Sequence, residues 1–151
     1  MFIVGDSAGG GLAIALALAI RDRGLSPVAG IVALSPWADL TCSGESMLQM
    51  ASRDLECSRE GLLDMVASYL GSALPTNPLA SPVFADFTGC RLSCASQALT
   101  RFINDTLRLA KAVAMAGGSA TVSIGAGMRL SDLGRSIPRS GCGYAGSWRL
   151  D

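Results

Sequence analysis

The residues able to do chemistry stand at the front of the chain, in Met1-Phe-Ile-Val-Gly-Asp-Ser-Ala-Gly-Gly-Gly-Leu12. Ser7 lies in a G-x-S-x-G pattern made by Gly5, Asp6, Ser7, Ala8 and Gly9. An apolar run, Phe2 to Val4, precedes it and a long Ala/Leu segment follows, so the order is strand, tight turn, helix. Small residues beside the turn let strand and helix approach closely, and the side chain at the apex is pushed out of the sheet. Ser7 is therefore the candidate catalytic nucleophile. The backbone N–H of Ala8 is the candidate donor to an oxyanion formed on it.

A serine hydroxyl is a poor nucleophile at neutral pH until a base takes its proton. The chain contains no histidine. Its single lysine, Lys111, falls in mid-helix, where a solvated face is the expected role, so a Ser-Lys arrangement is not favoured. Gly9-Gly10-Gly11 is not followed by Lys-Ser/Thr, which excludes a P-loop. Five cysteines (Cys42, Cys57, Cys90, Cys94, Cys142) lack C-x-x-C spacing, and without histidine they read as reduced thiols rather than a zinc site. No cofactor and no metal is expected.

The elements that must position Ser7 follow from composition and period. The 151 residues suit one domain with its own core. Charged residues make up 16%, against about 25% in an average soluble domain. The formal net charge is zero, so nothing electrostatic argues for nucleic acid or an anionic membrane. The longest apolar run, Leu12 to Ile20, is too short to span a bilayer. No signal-peptide pattern precedes it, and a cytoplasmic location is expected.

Residues 10 to 23 read as a helix on Ala/Leu propensity, stopped by Gly24. Val28 to Leu34 is a continuous apolar run that suits a parallel strand covered on both faces. Residues 38 to 57 are polar and turn-rich. Ser58 can cap a helix over 59 to 70, with Glu60 in its first turn and Leu62, Leu63, Val66, Tyr69 and Leu70 on its apolar face. Trp37 and Tyr69 read as packing residues. A Pro-rich loop runs from 71 to 87. The α/β alternation then calls for a buried strand, yet residues 90 to 101 are polar and without period. A helix over 105 to 116 and a strand over 119 to 124 follow. Residues 129 to 151 have no hydrophobic period and read as a disordered tail.

Taken in order, these residues resemble the hormone-sensitive-lipase-like esterases of the α/β-hydrolase fold. The resemblance rests on Gly5-Asp-Ser-Ala-Gly-Gly10, the helix ending Arg21-Asp-Arg-Gly24, and Leu34-Ser-Pro-Trp37 with Asp39-Leu40. It continues through Ser43-Gly-Glu-Ser46 and Asn77-Pro-Leu-Ala-Ser-Pro82 with Phe84-Ala-Asp86. The shorter echo of chymotrypsin-like Gly-Asp-Ser-Gly-Gly is set aside, because a long Ala/Leu helix follows directly. The resemblance spans residues 2 to 89 and resumes over about 104 to 128.

It implies an α/β class chain, a partial α/β-hydrolase over residues 1 to 128, and a carboxylic ester hydrolase acting through a serine acyl-enzyme on a small acyl ester. Ser7 would be the nucleophile in an elbow formed with Gly5, Asp6 and Gly9, and Ala8 N–H one oxyanion donor. The family's glycine-rich oxyanion loop, cap and first strands precede the nucleophile strand, with which this chain opens. No triad acid matches: the family position falls near Ala98 and Leu99, and Asp105 matches a later, non-catalytic acid. No triad histidine follows Gly127-Met128. Residues 90 to 102 and those after Met128 are expected to be read in a shifted frame. The chain as written is then expected to be inactive, with a non-catalytic fragment as the alternative, and its opening strand to self-associate through an exposed sheet edge.

Overall fold

A computed structural model describes residues 1–52, 57–90, 93–98, 101–124 and 147–150. The opening strand β1 (Phe2–Asp6) runs without a loop into helix α1 (Ser7–Asp22), and strand β2 (Gly30–Leu34) lies parallel to β1. The helix begins three residues earlier than its composition predicts, because the turn is a single residue and Gly9, Gly10 and Gly11 are already helical. It stops at Gly24, whose φ of +63° is left-handed and unfavourable for any side chain with a Cβ. A short helix α2 (Ser46–Gln49), not foreseen in the turn-rich stretch, precedes α3 (Arg59–Leu70). Ser58 caps α3 as expected, its Oγ accepting from Gly61 N–H at 3.0 Å.

A 3-10 turn (Pro82–Phe84) leads on to strand β3 (Ser93–Ala98), helix α4 (Ile103–Met115) and strand β4 (Ser119–Ile124). Strand β5 (Ser147–Leu150) is antiparallel to β4. The sheet order is β1-β2-β3-β4-β5, parallel except for the last pair. A strand thus occupies the stretch that the sequence leaves without a period. Cys94–Gln97 pair with Ile31–Leu34 on one side, and Ser93–Ala98 with Ser119–Ile124 on the other. Two ladders of backbone partners fix such a strand where side-chain pattern gives no cue. The predicted tail of 129 to 151 lies outside the described residues apart from β5.

The main core lies on one face of the sheet. Ile3, Ile31, Ala33, Ala120 and Val122 from the strands meet Ala13, Ile14, Ala17 and Leu18 of α1 and Leu109, Ala110 and Val113 of α4. Each large side chain here, Leu18 and Ile31 at 1% exposure among them, contributes roughly 1.5–3 kcal/mol by leaving water. The opposite face differs from the sequence expectation of a strand covered on both sides. Val32 and Leu34 are half-buried, and Phe2 and Val4 are 71% and 66% exposed. The two helices that pack on the strands share one side, so alternate residues of β1 and β2 lack a covering layer among the described residues. A second core joins Trp37, Leu40, Cys42, Met47 and Phe102 to Leu62 and Val66 of α3.

Candidate active site

Ser7 sits where β1 becomes α1, with φ +49°. A non-glycine residue in this left-handed region is strained, at a cost on the order of 1–3 kcal/mol, and persists only where its surroundings hold it. Three contacts do so. Trp37 N–H donates to Ser7 O at 2.9 Å. Gly5 has no room for a side chain, since a Cβ there would lie 2.1 Å from Gly9 O. Gly11 has none either, a Cβ falling 2.1 Å from Trp37 O. Gly9, the second glycine of the pattern, is different: its Cβ would meet nothing closer than Asp6 Oδ1 at 3.9 Å. The close approach thus rests on Gly5 and Gly11 rather than on the two glycines of the motif.

Asp6, extended at φ −118° and ψ 150°, is the residue before the helix, and its side chain makes no capping hydrogen bond. Helix geometry leaves the N–H groups of Ala8 and Gly9 without intrahelical acceptors. Among the described residues Ser7 Oγ has no hydrogen-bond partner. Lys111 is exposed on α4.

Beside the turn lies a cavity of about 320 Å³, lined by Ala8, Gly9, Gly11 and Leu12 of the elbow and α1 and by Trp37, Leu40, Met65, Val66, Tyr69, Leu79 and Ala80. Its walls are almost wholly apolar. Trp37 stacks on Phe102, ring centroids 6.0 Å apart, and its indole N–H donates to Asp39 O at 3.2 Å. Tyr69 and Met65, one helical turn apart on α3, form the far wall. Tyr69 therefore faces a cavity rather than the core, at 69% exposure.

The segment that holds Trp37 is tied down one amide at a time. After Trp37, the N–H groups of Ala38 and Asp39 both donate to Asp105 Oδ2 at 3.0 Å. Leu40 N–H donates to Ser81 Oγ at 2.8 Å, Thr41 N–H to Asp39 Oδ1 at 2.9 Å and Cys42 N–H to Asp39 O at 3.1 Å. Asp39 also receives Ser43 Oγ and Arg108 Nη1, each at 2.6 Å. Burial opposes ionisation of Asp39, but the donors on Ser43, Thr41 and Arg108 outweigh it and hold its carboxyl below the usual range. Asp105 has fewer donors and is fully buried. Burial, aided by the Asp39 charge, pushes its carboxyl up to about 7 against the pull of the two amides. Cys42, beside both, is a buried thiol pushed up to about 11, first by burial and then by the two carboxylates.

This buried network is what a reading of motifs passes over. Asp39 and Asp105 stand 66 residues apart, and only the fold brings them together. The one signal in the sequence is the i, i+3 spacing of Asp105 and Arg108 on a helix whose other inward positions, Thr106 apart, are apolar.

Residues 1–129 match the family model of the alpha/beta hydrolase fold. The chain belongs to the α/β-hydrolase family. An acetyl-hydrolase of Streptomyces hygroscopicus is 36% identical over 117 residues, 78% of this chain and 39% of that protein. The crystal structure of a hormone-sensitive lipase from a metagenome library superposes with a TM-score of 0.83 at 35% identity, covering 90% of this chain and 48% of the other. An esterase of the bacterial hormone-sensitive lipase family gives a TM-score of 0.81 at 35% identity over 84% of this chain and 43% of its own. This α/β-hydrolase chain thus spans less than half the length of these relatives. No helix among the described residues is long and apolar enough to cross a membrane.

Proposed function

We propose that Ser7 is the nucleophile of a carboxylic ester hydrolase, attacking the carbonyl carbon of a short-to-medium acyl ester to give an acyl-enzyme. The observation that carries this reading is the left-handed Ser7 at the strand-to-helix apex, held by Trp37 N–H and Gly11, with an apolar cavity beginning at Ala8 and Gly9. Ala8 N–H, at the positive end of α1, would donate to the oxyanion, and the cavity would take the acyl chain. The attack also has to pass the Ser7 proton to a base, and these 151 residues include no histidine. In our reading this polypeptide alone turns over no ester, because loss of a triad base costs on the order of 10⁴–10⁶ in rate. That absence favours a second reading of the isolated chain as a non-catalytic fragment with a binding or assembly role.

β1 lies at the edge of the sheet among the described residues, with Phe2 and Val4 exposed, which supports self-association through that edge. We infer a cytoplasmic location from five cysteines without C-x-x-C spacing, which read as reduced thiols. The test of the chemistry has two arms. Release of p-nitrophenol from p-nitrophenyl butyrate by the 151-residue chain is expected to be unchanged by Ser7→Ala. A chimera in which Phe2–Gly89 replace the matching part of the metagenomic lipase, which then supplies the remainder of the fold, is expected to hydrolyse the ester in a Ser7-dependent way. A folded chimera without Ser7-dependent turnover would overturn the assignment of Ser7.

A further inference from the structure

Behind the elbow two carboxyl groups are buried together, and among the described residues only one is ion-paired. Asp39 accepts from Thr41, Ser43 and Arg108, the last as an ion pair at 2.6 Å. Asp105 accepts two amide N–H groups on Oδ2, while its Oδ1 is buried and among the described residues has no hydrogen-bond partner. One of those two amides belongs to Asp39 itself, so the carboxyl groups are joined through a single backbone turn. That turn continues into Trp37, whose N–H holds the carbonyl of the strained Ser7 and whose side chain walls the cavity.

We propose that Asp105 is a positioning residue of the elbow, and that a single proton on the Asp39–Asp105 pair sets how firmly the Trp37–Cys42 segment holds Ser7 and the apolar cavity. With the proton on Asp105, the pair carries one negative charge, matched by Arg108. Without it, two fully buried carboxylates share one guanidinium that is itself partly exposed. The amides of Ala38 and Asp39 favour that second charge, but burial, the larger effect, and the Asp39 carboxylate oppose it, and the opposition is relieved when the Ala38–Asp39 turn moves to admit water. Protonation therefore tightens the segment and deprotonation loosens it. Among the described residues no second cation is ion-paired to either carboxyl group. Arg101 donates to the carbonyl groups of Met47 and Ala51 at 2.6 and 3.2 Å, Arg59 points to the Cys42 carbonyl at 3.4 Å, and Cys42 itself stays protonated. Burial pushes Asp105 up to about 7, well apart from Asp39, which is held below the usual carboxylate range, and from Cys42, pushed up to about 11.

The inference concerns the geometry of the elbow and holds whether or not Ser7 hydrolyses an ester, so it is read without turnover. In a Trp148→Phe background, the emission of Trp37 is followed from pH 5.5 to 8.5, together with the affinity of the cavity for N-phenyl-1-naphthylamine. Emission is expected to change with one proton and a midpoint near 7, and probe affinity to fall at least threefold towards high pH. Asp105→Asn, which mimics the protonated group, is expected to remove both changes while keeping the tight-binding limit. Arg108→Gln withdraws the one compensating charge and is expected to raise the midpoint by at least half a unit, which provides a second test should Asp105→Asn fail to fold. A flat profile in the parent chain, a titration that survives Asp105→Asn, or a midpoint lowered by Arg108→Gln would each overturn the proposal.

Discussion

Replacing Gly9 or Gly11 by alanine, two positions apart on the same helix turn, should have opposite effects on stability. Both residues lie inside α1, where alanine exceeds glycine by up to about 1 kcal/mol in helix propensity. At Gly9 nothing offsets that gain, since the new Cβ meets only Asp6 Oδ1 at 3.9 Å. Gly9→Ala is expected to stabilise by roughly 0.5–1 kcal/mol. At Gly11 the Cβ would fall 2.1 Å from Trp37 O and 3.2 Å from Trp37 C. Backbone must move by about an ångström to relieve this, an overpacking strain of about 1–3 kcal/mol or more. The same movement pulls Trp37 N–H from Ser7 O and adds about 1 kcal/mol. Set against the propensity gain, the net loss is about 1–3 kcal/mol. Urea unfolding followed by far-UV circular dichroism measures both, provided the slope with denaturant stays constant across the three proteins. Destabilisation by Gly9→Ala, or tolerance of Gly11→Ala, would show that the elbow is not held by the contact between α1 and Trp37.

Further outcomes follow from particular contacts. Ser58→Ala removes the cap of α3 and should cost about 1 kcal/mol, lowering the melting temperature by a few degrees. The pH dependence has a definite sign. Asp105 is raised on folding, so the folded chain binds more protons than the unfolded one between about pH 4 and 7, and stability should rise by about 1.5 kcal/mol as pH falls from 7 to 5.5. Asp39 is depressed, so its contribution is lost only below the ordinary carboxylate range and leaves that window untouched. Urea midpoints at pH 7 and 5.5 check this, with the difference vanishing in Asp105→Asn. Finally, Phe2→Lys with Val4→Lys should reduce self-association seen in sedimentation velocity, because the charges block pairing at the β1 edge.

Much of the elbow could be read from the sequence, because its causes are local. An apolar run, a serine between small residues and an Ala/Leu segment specify strand, apex and helix within a dozen residues. The Ser58 cap and Gly24 stop are equally local, and the structure places both where the residues put them. What could not be read depends on distant partners. The role of Gly11 exists only because β2 delivers Trp37 against α1. β3 is a strand by virtue of the ladders on either side of it. The Asp39–Asp105 pair joins a loop to a helix 66 residues later. Tyr69 belongs by spacing to the apolar face of α3, yet it stands at the wall of the cavity, which no helical period could foretell.

The central claim, that Ser7 is placed as a nucleophile but not activated within these residues, is tested most directly by its reactivity towards an alkyl fluorophosphonate. Mass spectrometry of peptides from the intact, folded chain locates the adduct and gives its rate of formation. The expected result is labelling of Ser7 no faster than that of a serine in an unstructured peptide. Stoichiometric modification of Ser7 within minutes, abolished by unfolding, would contradict the account by revealing a base that serves it.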